Sequence, residues 1–218
     1  MNTIRSIRRI RRMIIVGAVL GVMSALLVAP ASAGIPLAFQ MIVNGGFEAG
    51  TPIVPDLNPW TIKNKTGDKI VCLSKTPVGT TGDCSFQFKG SIGEAAKLMQ
   101  KMNEAQLDGF DAQMLAGAQI SFGYDYSSVY IASSLSAKVV VKYTAPGFIL
   151  PQKVKLTDTS TGATSIPSLA VWVDEGPATT AAIPAGANLT KFKAAITNKS
   201  LSGKAFIDNV SVVLTPNS

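Results

Sequence analysis

An all-β sandwich is the architecture this chain predicts, and three observations predict it. Short runs of alternating apolar and polar residues recur about ten times, each closed by Gly, Pro, Asn, Asp or Ser turn signals. Gly, Ser, Thr, Val and Ala are abundant, while long stretches of helical period are scarce. The 218 residues, less a 33-residue leader, leave 185, which suits one domain with a sizeable core.

The leader is read from residues 1–33. Arg5, Arg8, Arg9, Arg11 and Arg12 precede an apolar run from Met13 to Val28, and Ala29-Pro30-Ala31-Ser32-Ala33 follows. A basic start, an apolar middle and a small-x-small end make a secretory signal peptide, with the cut expected after Ala33. The alternative is an N-terminal membrane anchor, since the run approaches the lower length limit for a span.

Removing the leader changes the charge. The chain carries 20 Lys and Arg against 13 acids, a net of +7. All five Arg lie in the leader and no acid does, so 15 Lys remain against 13 acids, a net of +2. Basicity therefore gives no support to a nucleic-acid partner, and the absence of Arg past residue 33 argues against bidentate phosphate recognition. Export also sets the redox state. Cys72 and Cys84 are the two cysteines, and in an oxidising compartment they are expected to form a disulfide.

In chain order, residues 34–40 are a lead-in and residues 41–214 the domain. Met41-Ile42-Val43 is expected to open the first strand and to run into Asn44-Gly45-Gly46, where paired glycines imply a bulge or a close backbone approach. A proline-rich loop follows from Thr51 to Pro59. Strands are then expected at Trp60–Ile62, Lys69–Ser74 and Ser85–Lys89, the last with Phe86 and Phe88 on one face. Ala95–Asn103 is assigned as a strand, with a short helix through Gln106 as the alternative, because its composition favours helix.

Ala118–Val129 carries the clearest alternation. Ile120, Phe122, Tyr124 and Tyr126 fall on one face, and Ser121, Gly123, Asp125 and Ser127 on the other. Lys138–Tyr143, Lys153–Asp158, Leu169–Val173, Leu189–Thr197 and Lys204–Leu214 complete the count. Turns are expected at Pro146-Gly147, Thr159–Gly162 and Pro184–Ala187, and residues 215–218 form a loose tail.

The two ends carry the sharpest motifs. Asn44-Gly45-Gly46-Phe47-Glu48 opens the domain and Phe206-Ile207-Asp208-Asn209-Val210-Ser211-Val212 closes it. The pair resembles the first and last strands of the CenC-like carbohydrate-binding modules, a group with the galactose-binding-like jelly-roll fold. Leu98-Met99-Gln100 and the Pro184-Ala185-Gly186 turn are similar to further features of that group. The resemblance implies a jelly-roll sandwich, non-catalytic binding of a polysaccharide or cell-surface glycan, a core position for Trp60, and a structural Ca²⁺. In the group, the equivalent Glu and Asp join backbone carbonyls around that ion; here they are Glu48 and Asp208, with Gly45 contributing backbone oxygen.

Sugar binding calls for aromatic faces and planar polar groups. The candidates are Trp172, Tyr124, Tyr126 and Gln100. Trp172 alternates against Val171 and Val173 and so points outward if those point inward. Tyr124 and Tyr126 share a face with Ile120 and Phe122, so that face equally reads as core. Tyr130, Tyr143 and Gln87 are further candidates.

Catalysis reads poorly. The chain has no His, hence no imidazole base for a Ser or Cys nucleophile. Glu94, Glu104, Asp108, Asp111, Asp125, Asp174 and Glu175 are available for a carboxylate pair. None sits in a catalytic motif, and turn or edge positions account for them. Three readings therefore stand: a secreted carbohydrate-binding module, a structural or adhesive surface protein of the same fold, and a small carboxylate-dependent glycosidase. An exposed aromatic strip on the concave sheet would favour the first, and a face of Lys, Thr and Ser the second.

Overall fold

The computed structural model describes residues 37–72, 82–93, 95–111, 114–129, 134–161, 172–174 and 179–217. The expected leader (1–33), Glu94, Tyr130, Gly162, Leu169–Val171 and Glu175 lie outside them, and Thr159–Thr161, expected to begin a turn, instead continue a strand. The described residues form twelve strands and one helix. In chain order these are β1 (Phe39–Gln40), β2 (Thr61–Lys63), β3 (Lys69–Cys72), β4 (Cys84–Lys89), β5 (Ala96–Asn103), α1 (Glu104–Asp111), β6 (Ala118–Val129), β7 (Ser134–Thr144), β8 (Gln152–Thr161), β9 (Val173–Asp174), β10 (Thr179–Ile183), β11 (Asn188–Asn198) and β12 (Lys204–Pro216).

They make two antiparallel sheets. One has five strands in the order β2-β5-β11-β7-β8. The other runs β10-β6-β12-β4-β3, with β1 also on β12 and β9 also on β6. The period-two pattern explains how they meet. Phe86, Phe88, Ile120, Phe122, Ile207 and Val212 turn inward from the larger sheet, and Leu98, Val139, Val141, Leu189, Phe192 and Ile196 from the smaller. All twelve are 1% exposed or less and share one core. The Tyr124 hydroxyl crosses that core to donate to Asp158 Oδ2 on β8 at 2.8 Å. The expected sandwich is what the sheets form.

The boundary between β5 and α1 resolves the ambiguous stretch. Residues 96–103 pair with β2 and β11. Helix begins only at Glu104, because Asn103 and Gln106 cap it reciprocally. Gln106 N–H donates to Asn103 Oδ1 at 3.1 Å, and Asn103 N–H donates to Gln106 Oε1 at 3.0 Å. This is a capping box, with Asn in the position more often held by Ser or Thr. Strand and helix are both present, in succession. β10 was not expected from the sequence: Thr-Thr-Ala-Ala-Ile is too short and weakly patterned to announce a strand, and pairing with β6 makes it one.

The opening segment departs most from expectation. Residues 41–43 are not a strand; the first strand is two residues long and precedes them. The reason lies on β12. One edge of β12 pairs with β6 along its length. Its other edge pairs with β4 only from Lys204 to Ile207. The opening segment takes up what remains. Phe39 and Gln40 pair with Leu214 and Val213, and Met41 N–H donates to Val212 O at 2.8 Å. Val210 N–H donates to Gly45 O at 3.0 Å. Gln40 Oε1 accepts from Val212 N–H at 2.8 Å and from Ile42 N–H at 3.1 Å.

Side-chain packing locks the turn in place. Asn44 and Phe47 both hold positive φ, 54° and 57°. Asn44 Oδ1 accepts from Ala49 N–H, its Nδ2 donates to Asp56 O, and its carbonyl accepts from Trp60 Nε1 at 2.9 Å. Phe47 is fully buried against Trp60 and Phe86, with ring centroids 5.8 and 5.7 Å away. Trp60 is a core residue, as the resemblance implied.

A disulfide joins Cys72 to Cys84, which face each other across β3 and β4. In the chain-entropy model, closing so short a loop adds about 2–3 kcal/mol.

Gly45 has no room for a side chain: a Cβ there would stand 2.0 Å from Val210 O. Gly45→Ala is expected to lower unfolding stability by about 1–3 kcal/mol or more, through displacement of backbone on β12. Urea denaturation followed by tryptophan fluorescence measures this, and an unchanged midpoint would show that the contact yields freely.

Candidate functional site

The four residues expected to meet a sugar do not converge. Tyr124 and Tyr126 are 2% and 0% exposed, with their rings packed in the core, so neither presents a face to solvent. Alternation had grouped them correctly with Ile120 and Phe122, and burial shows that this group faces inward. Gln100 is also interior, and its amide is occupied. Its Oε1 accepts from Val43 N–H at 3.0 Å and its Nε2 donates to Val43 O at 2.8 Å. The side chain thus serves the backbone of the opening segment as a neighbouring strand would. Trp172 is half-buried and immediately precedes β9, on the edge of the larger sheet. Gln87 and Tyr143 are buried as well.

The expected cation ligands come from segments that do lie side by side. Glu48 reaches toward the turn before β4: its Oε1 accepts from Cys84 N–H at 2.7 Å, and a Cβ on Gly82 would meet the carboxyl carbon at 2.6 Å. Asp208 is fully buried, and its Oδ1 accepts from Asn209 N–H at 2.7 Å. It lies one residue past Ile207, which pairs with Phe86 two residues along β4 from Cys84. Both carboxylates therefore belong to the Cys84 end of β4. Between Asp208 and Ser211 the register on β6 shifts by one residue, a bulge in which Asn209 takes a φ of 47°. The Gly45 carbonyl is engaged with Val210 N–H.

The sequence did not foresee the neighbour of Asp208. Register sets Asp125 opposite Asp208 on one side and Asp174 on the other, so three aspartates share one row across β12, β6 and β9. Only the strand order reveals this. Among the described residues, no group of three or more His, Cys, Asp and Glu side chains is arranged to hold a metal ion. An ion between the chain ends would thus rely on Glu48 and Asp208 plus backbone carbonyls. That donor set is all oxygen, which is the set a hard cation accepts.

Of the catalytic candidates, Asp125 and Asp174 are the pair set opposite each other in that row, and the other described ones have structural duties or lie apart. Asp111 Oδ1 accepts from Leu189 N–H at 2.8 Å and ties α1 to β11. Glu104 and Asp108 are exposed on α1.

A further surface feature lies elsewhere, on the outward side of the five-stranded sheet. The residues alternating with its core positions include Lys63, Lys97, Lys101, Lys138, Lys142, Lys153, Lys155, Lys191 and Lys193, interspersed with Thr, Ser, Ala, Val and Met. None is aromatic. The sole acid on the five strands, Asp158, turns inward to Tyr124. Four pairs of lysines stand directly opposite each other: Lys63 and Lys97, Lys101 and Lys193, Lys142 and Lys191, Lys142 and Lys153. A depression of about 410 Å³ lies on this face over Lys97, Lys138, Lys193 and Lys199, with Ser136 and Thr197 in its wall. Partial burial, reinforced by the charges of Lys97, Lys101, Lys138 and Lys63, holds the Lys193 ammonium below the ordinary lysine range. The period-two lysines were visible in K-F-K and K-V-K, but which strands stand side by side was not.

No protein-family model and no curated protein matches the chain. Solved structures do match. A structure of TmCBM61 in complex with β-1,4-galactotriose is 16% identical, over 80% of this chain and 97% of that one, with a TM-score of 0.46. A family 16 carbohydrate-binding module is 16% identical over 78% and 97%, with a TM-score of 0.47. The CBM22-1 xylan-binding domain of Paenibacillus barcinonensis Xyn10C is 11% identical over 84% and 95%, with a TM-score of 0.41. All three are described as carbohydrate-binding modules. At these values no activity is transferred, and the sandwich rests on the sheets described above.

Gln100→Ala removes both bonds to Val43 and is expected to cost about 1–3 kcal/mol, since the part-buried Val43 N–H and carbonyl then lose their partner. Chemical denaturation of the variant measures it; a change below about 0.5 kcal/mol would mean that Val43 finds other partners.

Proposed function

We propose that this chain is an exported, non-catalytic glycan-binding sandwich that meets its ligand on the outward face of the five-stranded sheet. The observation that carries the reading is the open depression over Lys97, Lys138 and Lys193. Ammonium groups there, with the hydroxyls of Ser136 and Thr197, form a donor-rich surface, and no described carboxylate lines it. The mode differs from the one anticipated. Without an aromatic ring on this face, binding rests on hydrogen bonds and charge, and ring stacking takes no part. Export is supported by the basic, apolar and small-residue pattern of residues 1–33 and by the Cys72–Cys84 disulfide, a bond typical of oxidising compartments. The glycosidase reading has less behind it: the opposed pair of described candidates, Asp125 and Asp174, sits in no catalytic motif, and the others serve as backbone acceptors or lie dispersed.

The second reading, a structural or adhesive surface protein, is favoured by the same absence of an aromatic strip. Pull-down on insoluble polysaccharides and a glycan array separate the two. Retention on at least one polysaccharide, without release of reducing sugar, is the expected result. No retention across the panel would leave the adhesive reading, and sugar release would revive the hydrolase.

Calcium belongs to the same proposal as a structural ion held by Glu48, Asp208 and the Gly45 carbonyl. Two carboxylates brought from opposite ends of the chain repel unless a cation or proton lies between them, and the oxygen-only donors suit Ca²⁺. Its role would be to pin the opening turn to β12. An ion that binds only the folded chain stabilises it by mass action, about 2.7 kcal/mol at a hundredfold excess over Kd. A thermal melt in excess calcium is expected to exceed one in chelator, with the difference lost in Glu48→Gln. Coincident melts of the unaltered chain would remove the ion from the account.

A further inference from the structure

We infer that the lysine face selects an acidic polysaccharide, a linear glycan carrying carboxylate or sulfate groups, over neutral ones. The inference rests on the glycan-binding reading and narrows it to a substrate class. Four directly opposed lysine pairs on adjacent strands form an arrangement that like-charge repulsion disfavours. Among the described residues of the five strands no acid offsets it, since the only one, Asp158, points into the core. The whole chain past residue 33 carries a net of only +2, so this charge is a local concentration. Lys193 stands at its centre, across from Lys101 and beside Lys97 and Lys138, and its ammonium is held below the usual range by partial burial first and then by these neighbours. An anionic group over the depression would relieve this repulsion, whereas a neutral sugar would leave it in place.

Geometry selects the kind of polyanion. Neighbouring strands are about 5 Å apart, and lysines four residues apart along a strand, such as Lys138 and Lys142, are separated by about 13 Å. The charges thus extend in two dimensions over a broad surface, which suits a chain laid across several strands. Lysine is a hydrated point charge, without the rigid fork arginine uses for bidentate recognition, so it suits repeated and exchangeable contacts. A single-stranded nucleic acid would need stacking platforms, and this face has no aromatic residue. A lipid bilayer is the other competitor, because Phe148, Ile149 and Leu150 stand exposed at the tip of the β7–β8 hairpin. Insertion of that tip would bring only the nearest lysines, Lys142, Lys153 and Lys191, to the headgroups. The depression, six or more residues back along β7 from the tip, would stand clear of the membrane.

The test compares polygalacturonate, dextran sulfate and neutral dextran by calorimetry across a salt series. Phosphatidylglycerol vesicles and a single-stranded oligonucleotide are the competitor arms. Binding to at least one acidic polymer and not to dextran is expected, with log K falling linearly in log salt as counterions are released. Which polymer binds tells carboxylate from sulfate. The triple variant Lys97→Gln, Lys138→Gln, Lys193→Gln is expected to lose at least tenfold in affinity and to flatten the salt slope. Lys69→Gln, Lys89→Gln, Lys204→Gln removes the same charge from the larger sheet and is expected to bind like the unaltered chain. The inference is overturned by equal losses in the two variants, or by tighter binding to vesicles or oligonucleotide than to either acidic polymer. Binding to neutral glycans alone would overturn it and leave the glycan reading standing; silence toward every glycan would overturn both.

Discussion

The closing strand β12 has two edges, and the chain reaches a finished sheet only because its own beginning covers the second one. β4 accounts for the first four residues of that edge, and Phe39 to Gly45 accounts for the rest. An uncovered edge in the middle of the sheet would leave backbone donors and acceptors without partners. Covering it requires contact between segments more than 160 residues apart, and the Gly45 carbonyl against Val210 is where that contact is tightest. Much else follows from this closure. Asn44 holds the turn by bonding its flanks, Phe47 is driven into the aromatic cluster with Trp60 and Phe86, and Gln100 is drawn from the other sheet to satisfy Val43. The motif Asn-Gly-Gly-Phe-Glu is therefore a closure device first, whatever ion it also holds.

Polar groups in this sandwich divide by sheet. The larger sheet gathers Asp125, Asp174 and Asp208 in one row, and the buried Ser85, Gln87 and Ser127 lie on the same strands. The smaller sheet turns lysines outward and keeps its only aspartate inside. Past residue 33, where lysines and acids nearly balance, separation on this scale gives two electrically different faces. Interaction with a charged partner is then decided by which face it meets, and net charge is a poor guide.

Residues singled out by chemistry alone were drawn into structure. A glutamine can bind a sugar hydroxyl or a peptide group equally well; a buried peptide group without a strand partner took this one. Two tyrosines can stack on a sugar or fill a core, and a strand flanked by β10, β9 and β12 and covered by the other sheet left them only the core. The lysines drew less notice, because each is unremarkable by itself. Their meaning appears when Lys193 is seen across from Lys101 and Lys63 across from Lys97.

The sequence by itself determined the class of architecture, most strand positions, the disulfide partners, the core role of Trp60 and the adjacency of the two end motifs. The first three depend on local period, turn chemistry and a cysteine pair without rivals; the last two were implied by the resemblance of the end motifs to the carbohydrate-binding-module group. Tertiary structure alone decided which face of each strand is inward, that the opening segment completes an edge in place of making a full strand of its own, that β10 exists, and which charges are neighbours. Period two gives two faces but cannot rank them, and residues far apart in sequence become opposed only when strand order and register are set. For that reason the Asp208 row and the lysine face, both built from long-range register, could not be read along the chain.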